Sequence, residues 1–217
     1  MKVMAINGSP RKAGNTALML ENVLAGASDE GAETEMVNLY DLDFKGCTSC
    51  FACKVKDSSG YGRCALKDDL SPVLDRILEV DALVLGSPIY FGDVTGEMRS
   101  FVERLLFPYN AYDQHRSVLF PRKIRTGQVF TMNMAEAQTM EAGYDRLFRG
   151  FERLLGRILG PTETVAAYDT WQFDDYSRYE SSMFDARRKA ERRRSEFPNE
   201  LRGAFEMGKR LTRPIER

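Results

Sequence analysis

The sequence holds a single histidine and a single tryptophan in 217 residues, so any mechanism that needs two imidazoles is excluded. Net charge is nearly absent as well: 31 Lys and Arg stand against 32 Asp and Glu, a balance of −1. Binding nucleic acid by neutralising many phosphates calls for a basic excess, so no nucleic-acid partner is expected. Nowhere does the chain reach the roughly 18 consecutive apolar residues of a membrane span, and no membrane partner is expected. The first apolar run, Val3 to Ile6, meets Asn7-Gly8 too soon to form a secretory signal. A soluble, cytoplasmic protein is the expectation. Cysteines number four, with three inside residues 47–53, which is not how a secreted disulfide framework is spread. There is also no recognisable Ser/His/Asp set and no clustered carboxylate pair, so the side chains offer no hydrolytic machinery of their own.

What is present alternates between two hydrophobic periods. Val3-Met4-Ala5-Ile6 and Ala82-Leu83-Val84-Leu85 are short, wholly apolar runs, as expected of strands buried on both faces. Glu35 to Leu39, Gln128 to Met132 and Thr164 to Tyr168 read as three more strands. Between them lie helical stripes: Leu20, Val23, Leu24 and Ala27; then Leu70, Val73, Leu74, Ile77 and Leu78 behind Ser71-Pro72; then Met98, Phe101, Val102, Leu105 and Leu106. A further helix is expected around Tyr144 to Leu159. Strand–helix alternation with apolar strands predicts an α/β fold, a flavodoxin-like doubly wound sheet of five parallel strands in the order 2-1-3-4-5. It would occupy residues 1–170. Residues 171–217 would form a C-terminal helical extension packed on the same domain or on a neighbouring subunit. The extension carries the basic run Arg187, Arg188, Lys189, Arg192, Arg193 and Arg194. Such a run on a helix is expected to be a solvated face, with phosphate binding as the alternative.

The turn after the first strand, Asn7-Gly8-Ser9-Pro10-Arg11-Lys12-Ala13-Gly14-Asn15-Thr16, is neither a Walker loop nor a G-x-G-x-x-G fingerprint. It does bring hydroxyls, amides and two cations to the start of a helix, which suits a phosphate monoester at the positive end of the helix dipole. The alternative is a plain βα turn in which Asn15 and Thr16 cap the helix. The third strand ends in Gly86-Ser87-Pro88-Ile89-Tyr90-Phe91-Gly92. This second loop is uncharged and aromatic, and it should lie beside the first where the strand order reverses. Its chemistry suits a flat ring with hydrogen-bonding edges. The fourth strand ends in Thr131-Met132-Asn133-Met134, which would close the other side.

These two loops, with Thr95-x-x-Met98-x-x-Phe101-x-x-Arg104, resemble the NAD(P)H-dependent FMN reductase family of flavodoxin-like proteins. The resemblance runs in order through residues 1 to 170. It implies FMN, with Ser9, Arg11, Asn15 and Thr16 around the phosphate. Pro88, Ile89, Tyr90, Phe91 and Gly92 would lie along the isoalloxazine, with Thr131, Met132 and Asn133 nearby. It further implies NAD(P)H as co-substrate, a small-molecule or protein electron acceptor, and a homodimer or homotetramer. The catalytic chemistry would then belong to the FMN. Two rival readings are a non-enzymatic flavodoxin-type or iron–sulfur electron carrier and a flavin-free interaction module.

Cys47-x2-Cys50-x2-Cys53-x10-Cys64 is similar to the iron–sulfur flavoprotein branch of that family, which implies a [4Fe–4S] cluster on these four residues. The ten-residue gap before Cys64 departs from the branch pattern, and Asp57-Ser58-Ser59-Gly60 would have to fold back. Free thiols, a zinc site and a Cys50–Cys53 disulfide are the alternatives.

Overall fold

The computed structural model describes residues 1–215. Six strands and seven α-helices follow one another: β1 (Lys2–Asn7), α1 (Asn15–Asp29), β2 (Glu33–Asn38), α2 (Ser71–Ile77), β3 (Ala82–Tyr90), β4 (Asp93–Val94), α3 (Gly96–Leu106), β5 (Arg125–Thr131), α4 (Glu136–Glu141), α5 (Tyr144–Ile158), β6 (Thr162–Ala167), α6 (Ala186–Ser195) and α7 (Phe197–Leu211). Five strands pair in parallel in the order β2-β1-β3-β5-β6, while β4 folds back antiparallel on the end of β3. In terms of the five main strands this is the predicted 2-1-3-4-5 order. The β4 ribbon and α4 carry no signal in the hydrophobic pattern, because each is too short to show a period.

Alternation along the strands explains why the sheet is covered twice. Val3 and Ala5 of β1, Ala82 and Val84 of β3, and Val129 of β5 join one core with Leu20, Val23, Met207 and Leu211 of α1 and α7. Their neighbours Met4, Ile6, Leu83, Leu85 and Phe130 join a second core with α2, α3 and α5. Each fully buried aliphatic side chain of this kind contributes about 1.5–3 kcal/mol relative to exposure.

Helix α7 lies against α1 closely enough that backbone meets backbone. A Cβ on Gly26 would sit 1.9 Å from the Phe205 carbonyl oxygen, and one on Gly208 would sit 1.9 Å from that of Val23. Pro198, in the first turn of α7, separates it from α6. The extension therefore supplies half of one helical layer. No helix among the described residues is long and apolar enough to cross a membrane.

Candidate flavin and cysteine sites

The loops after β1 and β3 meet. Gly8 N–H donates to the Gly86 carbonyl at 2.8 Å, as the register Asn7↔Gly86 requires. Thr95 Oγ1 donates to the Gly8 carbonyl at 2.7 Å, and its backbone N–H donates to Ser87 Oγ at 3.1 Å. The same hydroxyl accepts from Met98 N–H and caps α3. One buried threonine thus holds both loops and a helix.

Within the first loop, Ser9 is 4% exposed, and its hydroxyl accepts from Arg11 N–H at 3.1 Å. Helix α1 starts at Gly14 with no side chain capping its amides, so its positive end is left for another anion or polar group. Thr16 Oγ1 and Thr131 Oγ1 lie 2.8 Å apart in a buried contact that joins this helix to the end of β5.

The second loop is a two-residue hairpin. Tyr90 pairs with Asp93, and Phe91 and Gly92 turn the corner with φ of +51° and +82°. Glycine accepts that conformation freely, whereas phenylalanine does not. Phe91 is nevertheless fully solvent-exposed at this strained position. No packing among the described residues accounts for it.

The segment after β6 crosses the first loop. Arg11 donates to the Gln172 carbonyl at 2.5 Å, and Asn15 Nδ2 donates to the Trp171 carbonyl at 2.8 Å. Asn133 Nδ2 donates to Gln172 Oε1 at 2.5 Å, while its Oδ1 accepts from Lys189. Lys189 is only 3% exposed and also pairs with Asp169, which has φ +45°. Burial opposes the Asp169 charge, but the hydrogen bonds and charges of Lys189 and Arg188 hold its carboxyl below the usual range. The basic run is therefore split: Arg187, Arg188 and Arg194 are exposed, as expected of a solvated face, whereas Lys189 is buried and Arg192 and Arg193 are half-buried. Lys189 anchors the end of the sheet, Arg192 pairs with Glu200, and Arg193 donates to Asn15 Oδ1. The inward face of α6 is not visible as a period, since seven of its ten residues are charged, and the Asp169 turn is too short to show one.

Met132 lies on the opposite face from Thr131. Its side chain is buried in the α3/α5 core, where Thr139 donates to its sulfur, and its carbonyl accepts from Thr170. Residues in a parallel strand alternate faces, so Thr131 and Met132 cannot both turn toward one side. A groove of about 620 Å³ runs along α6, α7 and the β6 edge, lined by Tyr168, Asp169, Arg188 and Glu200 among others. It contains none of the predicted loop residues.

Cys47, Cys50, Cys53 and Cys64 all line one apolar pocket with Arg104, Phe107 and Pro108. The spacing of Cys64 is thus no barrier to convergence. No disulfide links any of the four. No group of His, Cys, Asp or Glu among the described residues is arranged to hold a single metal ion. About 20 Å³ is free between the side chains, room for one water, so a larger occupant requires the thiols to part. Two cations flank them. Arg104, fully buried, donates through Nε to Cys64 Sγ at 2.9 Å and through its fork to Asp68 at 2.8 and 3.1 Å. Lys54 donates to the carbonyls of Phe107, Pro108 and Asn110. Burial pushes the Cys53 thiol up and the Lys54 ammonium down. Ser49 and Phe51, on either side of Cys50, both have positive φ, a backbone bend of the kind that turns successive N–H groups toward an anion or cluster.

Residues 1–122 match the family described as NADPH-dependent FMN reductase. The chain belongs to that family. Among its curated relatives, an iron–sulfur flavoprotein of Methanocaldococcus jannaschii is 38% identical over 104 residues, 48% of this chain and 51% of that protein. Another, from Archaeoglobus fulgidus, is 41% identical over 104 residues, 48% of each chain. The chain spans about half the length of the curated relatives it matches. Among solved structures, an NAD(P)H:quinone oxidoreductase from Methanothermobacter marburgensis superposes with a TM-score of 0.74 at 18% identity, covering 97% of this chain and 98% of that one. An FMN-dependent NADH-azoreductase from Bacillus anthracis, solved with FMN, gives 0.63 at 13% identity over 98% and 99% of the two chains. At such identities the superpositions show a shared fold. For this FMN reductase family member, the family match ends at residue 122, before Asn133, Asp169, Lys189 and Arg193.

Proposed function

We propose that the protein is an FMN-dependent oxidoreductase that passes electrons from NAD(P)H to a small-molecule or protein acceptor. The observation that carries this reading is the junction of the two loops through Gly8, Gly86 and Thr95 at the point where the strand order reverses. The uncapped end of α1 and the Ser9 loop suit a phosphate, with Arg11, Asn15 and Thr16 beside it. Pro88 to Gly92 would form the wall along the ring, with Thr131 and the Asn133 backbone closing the far side. Met132 would contribute backbone only. When bound, FMN would supply the redox chemistry by taking a hydride from the nicotinamide. The residues bind, orient and exclude water, and no side chain is asked for a proton.

The four thiols and two flanking cations fit a polynuclear, negatively charged [4Fe–4S] group better than a single zinc ion. Charge compensation by Arg104 and Lys54 is what such a group needs, and the names of the archaeal relatives agree. Cys47, Cys50, Cys53 and Cys64 would be its ligands, suited to one-electron relay in a reducing compartment such as the cytoplasm. Exposed Phe51, Tyr90, Phe91 and Tyr112 suit a homodimer or homotetramer interface.

Anaerobic purification followed by an absorption spectrum and an NAD(P)H-oxidation assay tests the reading. Flavin bands with many turnovers per flavin support the enzyme, whereas flavin bands with single-turnover oxidation would leave an electron carrier. A protein that stays colourless after incubation with FMN would overturn the assignment.

A further inference from the structure

The C-terminal extension reaches the first loop through the Trp171 and Gln172 carbonyls and through one guanidinium. Arg193 Nη1 donates to Asn15 Oδ1 at 2.8 Å. Its guanidinium carbon lies 3.9 Å from the centre of the Phe197 ring, which serves as a shelf. Asn15 is the first residue of α1, and its amide has two ends with different roles. With Oδ1 held by Arg193, the donor end Nδ2 is turned to the other side, where it meets the Trp171 carbonyl. Arg11 reaches the same segment one residue on, at the Gln172 carbonyl. Two guanidiniums, from opposite ends of the chain, are therefore brought to one uncapped helix start that has no acidic residue in its first turn. In contrast, Arg194 next door is exposed.

We propose that Arg193 is a positioning residue for the flavin phosphate: it fixes the Asn15 amide and adds a second positive charge to the cradle formed by Ser9, Arg11 and Thr16. This rests on the FMN reading above. A phosphate monoester gains from an ordered amide donor and from nearby positive charge, and a guanidinium already stacked on a ring has little entropy left to lose. The ring of the flavin is not involved, so the contribution is specific to the phosphate. The extension thereby completes the cofactor site of its own subunit from beyond the family-matched residues.

The test compares FMN with riboflavin, which carries the same ring and no phosphate, by fluorescence titration of the full chain stripped of flavin. Arg193→Gln is expected to weaken FMN at least tenfold and to leave riboflavin within twofold of the parent. Arg194→Gln, with the same change in net charge, is expected to leave both unchanged. Arg193→Lys keeps the charge and loses the fork, and is expected to recover part of the FMN affinity. It also serves as the second variant should Arg193→Gln not fold, as judged by far-ultraviolet circular dichroism. An equal loss of FMN and riboflavin in the folded Arg193 variants would make the residue merely structural and overturn the proposal. So would FMN affinity equal to the parent, or an equal loss in Arg194→Gln. A parent that binds neither flavin removes the FMN reading itself, and with it the proposal.

Discussion

Thr95 and Gly8 are 87 residues apart in sequence and 2.7 Å apart in space, the hydroxyl of one donating to the carbonyl of the other in a buried contact. Thr95→Val keeps the shape and removes both the donor and the α3 cap. It leaves a buried carbonyl unmet, so a loss of about 1–3 kcal/mol in urea unfolding is expected. FMN affinity should fall with it, because the two loops lose their tie. Thr95→Ser should restore both. Unchanged stability in the valine variant would show that the tie is not what joins the loops.

Phe91 holds a positive φ that asparagine adopts at lower cost, next to a glycine that already suits the turn. Phe91→Asn is expected to raise stability by about 0.5–1 kcal/mol. If the ring is retained to cover a bound flavin or nicotinamide, the same variant should lose NAD(P)H oxidation. A more stable variant with full turnover would separate the strain from the chemistry.

Lys189 and Asp169 form the buried pair beneath the end of β5. Lys189→Met should cost about 3 kcal/mol at neutral pH, because Asp169 keeps its charge with only Arg188 beside it. Asp169 has a folded pKa below its ordinary value, so its stabilisation is complete above the ordinary carboxylate range and is lost as pH falls through the lowered folded value. The difference between parent and variant should therefore shrink below about pH 4. Denaturant titrations at several pH values measure this, and a difference that grows on acidification would contradict the pairing.

Cys50 is exposed, so Cys50→Ser should leave the fold and the flavin bands intact. If the four thiols hold a cluster, the broad visible absorption beside those bands should disappear, along with protein-bound iron and sulfide. Parent protein with flavin bands and no such absorption would return the cysteines to free thiols.

Arg104 is the buried cation beside Cys64, clamped by Asp68. Arg104→Met should destabilise the chain by about 3–5 kcal/mol, since Asp68 and Cys64 lose their common partner. Thermal unfolding of the variant checks this, and a melting temperature equal to the parent's would rule out a structural clamp.

The sequence by itself determined the sheet. Continuous apolar runs such as Val3–Ile6 and Ala82–Leu85 admit only strands covered on both faces, and the stripes between them supply the covers. It also brought the loops after β1 and β3 together, because in a doubly wound sheet the strand ends at the reversal point are neighbours whatever the side chains. Tertiary structure alone decided what lies across them. Lys189 and Arg193 belong to a helix so uniformly charged that it has no apolar period to announce an inward face, and Asp169 is a lone carboxylate between Tyr168 and Thr170. Their burial follows from partners supplied by distant strands and loops. The same holds for Cys64, whose partner is Arg104. Long-range hydrogen bonds place those side chains, and such partners cannot be read from neighbours along the chain.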